Sequence, residues 1–512
     1  MSLDTLPLDF LPEIFSEVTT SDLKAIRLTN RVLACVAAPY LFRKVSINCA
    51  RQKSDTAKLF FDSASQPYSV AQYAKVVYFG SVLQDKPSPC GEVLESGRLE
   101  KSSISRGVMA LENAREITID CKMDPSWVKT ALLRAALRLP QLQRLNVRHP
   151  SVDDFCVPTL SRATTPTNIQ SLQLGITSDK FTDKFPPILS GMLAFCPSLR
   201  SLTLTGMTAS ISPSSIWGET RIVQHTPPSL STLLASLPDD STPQISDLTL
   251  DNYFISFDGS NLGLFKTLTS ISLTSIPDKV WYTPYLNQQT PFDGLWLALG
   301  EAGVQLERVV VEVVTQSLLD YLASYSGVSH LALGIEEGLI TRIHMPKPEL
   351  LDHLLKQVIP RHEESLLSLK IFTNNAGDWV FRPDWLLWLE RCKVLLDVSF
   401  CVDFEPSNPS SFESTTKELL KFSALHESLR SVDVKASRTS WATMSSRERY
   451  FRGKSRQDAR SKFVSNVEQF LLPLDQLPHR QLPLCLWLPD EHWMESSPRW
   501  LTAESQNWCF RC

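Results

Sequence analysis

Leu199-Arg200-Ser201-Leu202-Thr203-Leu204, LRSLTL, is the stretch from which the fold is read. Side chains alternate along a strand, so Leu202 and Leu204 share one face and Thr203 takes the other, while Leu199 approaches from the preceding turn. The same template recurs upstream at Ile169-Leu172-Leu174, Leu142-Leu145-Val147, Ala114-Ile117-Ile119 and Tyr73-Val76-Tyr78. Downstream it recurs at Ile245-Leu248-Leu250, Leu268-Ile271-Leu273, Leu306-Val309-Val311 and Val328-Leu331-Leu333, then at Leu366-Leu369-Ile371, Leu395-Val398-Phe400 and Leu429-Val432-Val434. A unit of this size has one apolar face and cannot bury it alone, so stacking of neighbours is the economical solution.

Between the strand motifs lie apolar residues at helical spacing, such as Leu132, Ala135, Ala136 and Leu139, or Leu351, Leu354, Leu355 and Val358. Alternating strand and helix with an L-x-x-L-x-L signature is the pattern of leucine-rich repeats. We therefore expect an α/β fold over residues 48–434, an irregular leucine-rich-repeat-like solenoid. The intervals run from roughly 22 to 46 residues, against about 20–29 in regular repeats; either loop insertions, as at 207–228 and 277–292, or spurious and missed motifs explain the excess. An ordinary α/β domain with buried leucine-rich strands fits the same pattern. Residues 397–412, with Pro406, Asn408 and Pro409 among serines, read as a loop. The segment 435–512 reads as a basic stretch followed by a Trp- and Pro-rich cap containing Trp487, Trp493, Trp500 and Trp508.

The first 47 residues read differently. Asp9 can cap a helix whose first turn carries Pro12 and Glu13; Thr20, Ser21 and Asp22 signal a second start; Leu33, Val36, Tyr40 and Leu41 continue a third helical segment. The first helix carries two apolar stripes, Phe10 with Ile14 and Leu11 with Phe15 and Val18, of which one can serve a local core and the other needs a partner. Leu6-Pro7, Phe10-Leu11-Pro12-Glu13-Ile14-Phe15, Asp22-Leu23, Ile26-Arg27-Leu28-Thr29-Asn30-Arg31 and Leu41-Phe42-Arg43 resemble an F-box of fungal-type pattern, over the first tenth of the chain. This sequence departs from many members in having Leu33 and no Trp in the third segment, and an Ala-rich run at 34–38. The resemblance implies a short three-helix module at 1–47 that binds a Skp-type adaptor and, through it, a cullin-RING (SCF) ubiquitin ligase. Residues implied in adaptor binding are Leu6, Pro7, Leu11, Ile14, Phe15, Leu23, Ile26 and Leu28.

The composition is that of a folded protein, with 43% hydrophobic and 21% charged residues over 512 positions. A net charge of -4 supplies no global attraction to nucleic acid or anionic membranes. Eleven cysteines, an odd number without framework spacing, and a start lacking a basic region before an apolar run favour a reducing compartment, cytoplasmic or nuclear. No uncharged apolar run is long enough to cross a bilayer.

Catalytic constellations are sparse. Gly453-Lys454-Ser455 imitates the end of a P-loop, but Glu448 stands where the motif needs glycine. His362-Glu363-Glu364 lacks the second histidine of a zincin helix, and Cys509-Phe510-Arg511-Cys512 supplies only half of a zinc site. We expect no catalytic residue, metal or cofactor. The stretch 435–462, with Arg447, Arg449, Arg452 and Lys454 around Tyr450 and Phe451, suits a solvated helix, an acidic partner or an import signal better than nucleic acid.

In a solenoid the residues between inward leucines face the concave side and can receive a protein target. Candidates there are Asn146, Gln173, Thr203, Thr249 and Ser272, with Arg148, Asp251 and Glu312 just beyond their strands. In the insertion, Trp281, Tyr282 and Tyr285 are candidate interface anchors or rings tucked onto the flank. Trp379, Phe381, Trp385 and Trp388 read as core. The expected function is a substrate receptor of the ligase; a repeat scaffold that binds proteins without a ligase, with the first helices as its cap, is the alternative.

Overall fold

The computed structural model describes residues 10–48, 55–64, 66, 69–80, 101–120, 126–148, 167–177, 189, 192–193, 196–207, 244–251, 262–274, 293–334, 348–372, 379–402, most of 414–436, and strands at 484–487, 499–504 and 507–511. They fall into two units, Met1–Tyr253 with Gly263–Thr267, and Phe254–Leu262 with Leu268–Cys512.

The first unit opens with α1 (Leu11–Glu17), α2 (Thr20–Thr29) and α3 (Arg31–Leu41). Pro12 sits in the first turn of α1, where a missing N–H leaves nothing unpaired. The N-cap is Phe10, without a side-chain cap, and Asp9 lies outside the described residues. Thr19 caps α2, its Oγ1 accepting from the Asp22 N–H at 3.3 Å, and Asn30 caps α3, its Oδ1 accepting from the Val32 N–H at 2.7 Å. The helices close on Leu11, Phe15, Leu23, Leu33 and Ala37, with Val18, Ile26, Val36, Tyr40 and Leu41 packed around them. Helix α3 packs against the 3-10 turn Val70–Tyr73.

The helical stretch does not reach Ile47: Lys44–Ile47 is strand β1 and pairs in parallel with β2 (Val76–Phe79). There follow β3 (Glu116–Ile119), β4 (Arg144–Val147), β5 (Ser171–Thr177), β6 (Ser201–Met207) and β7 (Asp247–Asp251), each parallel to its predecessor. Helices α4 (Asp55–Ser63), α5 (Lys101–Met109) and α6 (Ser126–Ala136) pack in sequence beside them. The register stacks Ile117, Leu145, Leu172, Leu202 and Leu248 in one row and Ile119, Val147, Leu174, Leu204 and Leu250 in the next, all at most 4% exposed. Each such leucine contributes about 1.5–3 kcal/mol on burial.

One motif sits a residue out of register. The buried triad at β2 is Ala74-Val77-Phe79, not Tyr73-Val76-Tyr78, which the pleat turns to the other side.

Each rung is fastened to the one before by backbone alone. The Arg115 carbonyl accepts from the N–H groups of Gln143 and Arg144, the Gln143 carbonyl from Gln170 and Ser171, the Gln170 carbonyl from Arg200 and Ser201, and the Arg200 carbonyl from Ser246 and Asp247, all at 2.8 to 3.0 Å. A carbonyl has two lone pairs, so one acceptor can hold two donors and pin where the next strand starts.

The second unit repeats the device. Strands β8 (Ser270–Thr274), β9 (Arg308–Val311), β10 (His330–Leu333), β11 (Ser368–Ile371), β12 (Asp397–Val402), β13 (Ser431–Ala436) and β14 (Leu484–Trp487) run parallel in order. β15 (Arg499–Glu504) and β16 (Asn507–Arg511) add antiparallel strands beyond β14. The first six residues of the expected loop at 397–412 are therefore β12. Their alternation ends in Phe400-Cys401-Val402, all buried, so the strand continues past the L-x-x-L-x-L template.

Helices α7 (Asp293–Glu301) and α8 (Gln316–Ala323) precede a composite helix of Pro348–His353, a π-helical turn Leu354–Val358, and Ile359–Arg361. The Ile359 N–H donates to the Leu354 carbonyl, one residue further back than in an α-helix. Pro360 lacks an N–H and crowds a regular turn at this point, which the wider turn accommodates. Trp379, Phe381 and Trp385 are core, as expected, whereas Trp388 is only half-buried; Phe381 stacks on Phe400 at 5.0 Å and Trp385 meets it edge-on at 5.8 Å.

Candidate docking surfaces

Two surfaces of the first unit carry the expected functional residues. On the three-helix module, Leu11, Phe15 and Leu23 are 1%, 1% and 4% exposed and form its own core, and Ile26 packs beside them. These side chains hold the module together and are not open to a partner. The outward apolar residues are Phe10 (56%), Ile14 (37%), Leu28 (87%) and Val32 (52%). Phe10 and Ile14 lie one helical turn apart, so of the two stripes on α1 the Leu11–Phe15 stripe turned inward and the Phe10–Ile14 stripe outward. Val32 was missed because it belongs to the first turn of α3, ahead of the periodic residues. Leu6 and Pro7 lie outside the described residues.

The second surface is the row of side chains opposite the core. Register sets Tyr78, Thr118, Asn146, Gln173, Thr203 and Thr249 side by side, all half-buried. Beyond the strand ends, Asp120 Oδ2 accepts from the Tyr78 hydroxyl at 3.0 Å and pairs with the Arg148 guanidinium at 3.5 Å. On the other flank Arg144 pairs with Glu116 at 3.7 Å. Asp247 and Asp251 flank Thr249 on β7, and the Ser246 hydroxyl donates to Asp247 at 2.9 Å. The Oδ1 of Asn146 is shielded from solvent and has no hydrogen-bond partner among the described residues.

In the second unit the corresponding row is Ser272, Val310, Ala332, Lys370, Ser399 and Asp433. Ser399 is buried, its hydroxyl donating to Asp433 at 2.7 Å. Glu312 is 7% exposed and does not offer its carboxylate at an open edge: it follows Val311, where the strand's alternation has ended. Trp281, Tyr282 and Tyr285 lie outside the described residues, as do 437–462 and Cys512; Cys509 is on β16.

The titratable groups of the interior are structural. Burial pushes the Cys196 thiol up to about 11 and that of Cys392 up to about 12, away from a reactive thiolate. Burial raises the Tyr321 hydroxyl to about 12 and Tyr325 further still; their hydroxyls donate to the carbonyls of Val304 at 2.8 Å and Leu306 at 3.1 Å. His362 accepts the Val328 N–H at Nδ1 (3.3 Å) and donates from Nε2 to the Leu322 carbonyl (3.0 Å), and desolvation lowers its pKa to about 4. Among the described residues no group of three or more His, Cys, Asp or Glu could hold a metal ion, and no helix is long and apolar enough to cross a membrane.

No protein-family pattern matches the chain, and no curated protein does. Among solved structures, the chain is similar to a complex of Rad7 and Elc1 in yeast, at 12% identity and a TM-score of 0.33, covering 87% of this chain and 96% of that one. It is also similar to an LRR protein of Leptospira interrogans, at 11% identity and a TM-score of 0.25, covering 75% and 89%. At such scores the likeness carries no weight of its own; the repeat architecture rests on the register and burial of the strands.

Proposed function

We propose that this chain is the substrate receptor of a cullin-RING ubiquitin ligase, acting in the cytoplasm or nucleus. Its N-terminal module, read as an F-box, docks on a Skp-type adaptor, and its strand rows receive a protein target. The observation that supports this most is the outward stripe of Phe10 and Ile14, one turn apart on a helix whose neighbouring stripe already fills the module's core. An apolar stripe left over after the local core is complete is what a partner helix or groove takes. The receptor performs no bond chemistry; it raises the local concentration of a target near ubiquitin carried by other subunits.

Pull-down of a Skp-type adaptor by the full chain tests the reading. Phe10→Ser with Ile14→Ser is expected to lose capture tenfold or more while stability changes by about 0.5 kcal/mol or less, because both side chains are exposed. Capture that survives this double substitution, or that the unaltered chain never shows, overturns it. The packing of α3 on the turn Val70–Tyr73 supports a second reading, a scaffold whose first helices only cap the repeats. That reading expects no adaptor capture and a loss of melting temperature when the module is removed.

A further inference from the structure

On the second unit's sheet the carboxylates that face away from the leucine rows are taken up within the fold. The Ser399 hydroxyl donates to Asp433, the Ser431 hydroxyl donates to Asp397, and Glu312 is 7% exposed. Two cations are left over. Arg308 on β9 is exposed and Lys370 on β11 is half-buried, and among the described residues neither side chain has a hydrogen bond or an ion pair. Glu307, the residue before β9, pairs with neither of them among the described residues.

Both cations sit on interior strands, with β8 and β12 outside them and β10 between. Register sets Arg308 beside the exposed His330, whose Nδ1 lies 2.8 Å from the Ser329 hydroxyl. Two residues further along, it sets Lys370 beside Ala332 and Val310, both half-buried. Strands lie about 4.8 Å apart and rise about 3.3 Å per residue, so two strands and two residues put the Arg308 and Lys370 Cα atoms about 12 Å apart. An extended chain covers that distance in about three or four residues. Cations spaced this way match two carboxylates carried along one chain better than the concentrated charge of a single phosphate. Ala332 and Val310 form a small apolar floor beside the line that joins them.

We infer that this face binds an extended acidic segment of a target protein, an inference that rests on the receptor reading above. Two Asp or Glu side chains, three or four residues apart, lie one over Arg308 and one over Lys370. A small apolar side chain between them rests against Ala332 and Val310. Charge complementarity selects the segment, and the apolar floor fixes its register.

A positional-scanning library of heptapeptides, made with and without phosphoserine and applied to the full chain, tests this. Enrichment of Asp or Glu at two positions three or four apart is expected, with Ala or Val enriched between them and binding that falls as salt rises. Arg308→Gln is expected to erase the preference at one acidic position and Lys370→Gln at the other. The two together should weaken the selected peptide about tenfold at an unchanged melting temperature, because neither charge is paired in the fold. Lys370→Glu should turn the preference at its position from acidic to basic. The absence of enrichment, enrichment of Lys or Arg by the unaltered chain, or a preference for phosphoserine over Asp and Glu overturns the inference. So does equal binding of a single-stranded oligonucleotide of comparable length, or undiminished peptide binding after both substitutions to Gln. Adaptor capture depends on the N-terminal module and not on this face. Peptide binding absent with capture intact removes only the present inference; capture absent with peptide binding intact removes only the ligase reading.

Discussion

The two units are built on the same rung and differ in what they place around it. In the first, the solvent-side row is uncharged and polar from Thr118 to Thr249. In the second, that row is broken by Val310 and Ala332 and ends in the Ser399–Asp433 hydrogen bond, while the polar and aromatic groups have moved to the interior corners. There Trp296, Tyr321, Tyr325 and His362 follow one another at ring distances of 5.8, 5.1 and 5.5 Å, capping carbonyls of earlier rungs as they go. The first unit spends its polar side chains on a surface and the second on its own packing. Strand pairing and the leucine rows are common property; the individuality of each unit lies in positions the rung does not need.

The largest effects should fall on the shared part and should be similar in both units. Phe400→Ala, within the cluster of Phe381 and Trp385, is expected to cost about 3–5 kcal/mol, and Leu202→Ala in the first unit about 2–5 kcal/mol, read by urea unfolding. A cost below 1 kcal/mol at either site would mean that the rows are not the common support.

Acid should separate the units. His362 is neutral and buried, with its pKa lowered from 6.5 to about 4. The unfolded chain then binds the proton more readily than the folded one. Stability from this group is complete above about pH 6.5 and falls by about 1.4 kcal/mol per pH unit as pH drops toward 4. Hydrogen exchange followed by mass spectrometry should show protection lost first around β10 and β11, and His362→Gln should flatten the slope in that window.

A matched pair of glycines sharpens the contrast further. Gly80 follows β2 and Gly334 follows β10, each donating its N–H to the preceding rung, to Ile47 at 2.8 Å and to Val311 at 2.7 Å. A methyl at Gly80 would come within 2.7 Å of Asn48 Cγ, a side chain rather than backbone, so the cost there is the displacement of that side chain. At Gly334, φ is +92° and a methyl would fall 1.9 Å from the Phe372 carbonyl oxygen. Gly334→Ala is expected to cost more than about 1 kcal/mol and Gly80→Ala less, in the same unfolding assay. At the small end, Arg144→Ala should change stability by no more than about 1 kcal/mol, since its pair with Glu116 is solvent-exposed. A larger loss there would show that the first unit's surface also serves its packing.

The rung was legible in the sequence because burial on one face of a strand writes itself at a period of two. That signal placed Leu142, Leu145 and Val147 correctly, and their counterparts in both units. It misplaced β2 because Tyr-Ala-Lys-Val-Val-Tyr-Phe satisfies the template in two registers, and only packing chooses the one with Ala74 inward. It overlooked β1, although Phe42, Val45 and Ile47 fit the same spacing, because a helical pattern ran up to them. On the module, the two stripes of α1 were visible, but which one turned inward depends on α2 and α3, and no local pattern carries that. Glu312 read as an edge residue by simple alternation and is buried because alternation stops with the strand. The orphaned Asn146 oxygen had no signature at all, being a property of its neighbours.

The carbonyl clamp between rungs joins residues 46 apart at Arg200 and Ser246 and 22 apart at Glu307 and Ser329, yet the bonds are 2.8 Å long in both. The clamp is indifferent to how much chain travels around the back. Foreign segments grafted between one clamp and the next should therefore be carried without disturbing strand alignment. Proline, which has no N–H to give, is the one residue that at Gln170 or Ser246 would strip a clamp of one of its two donors.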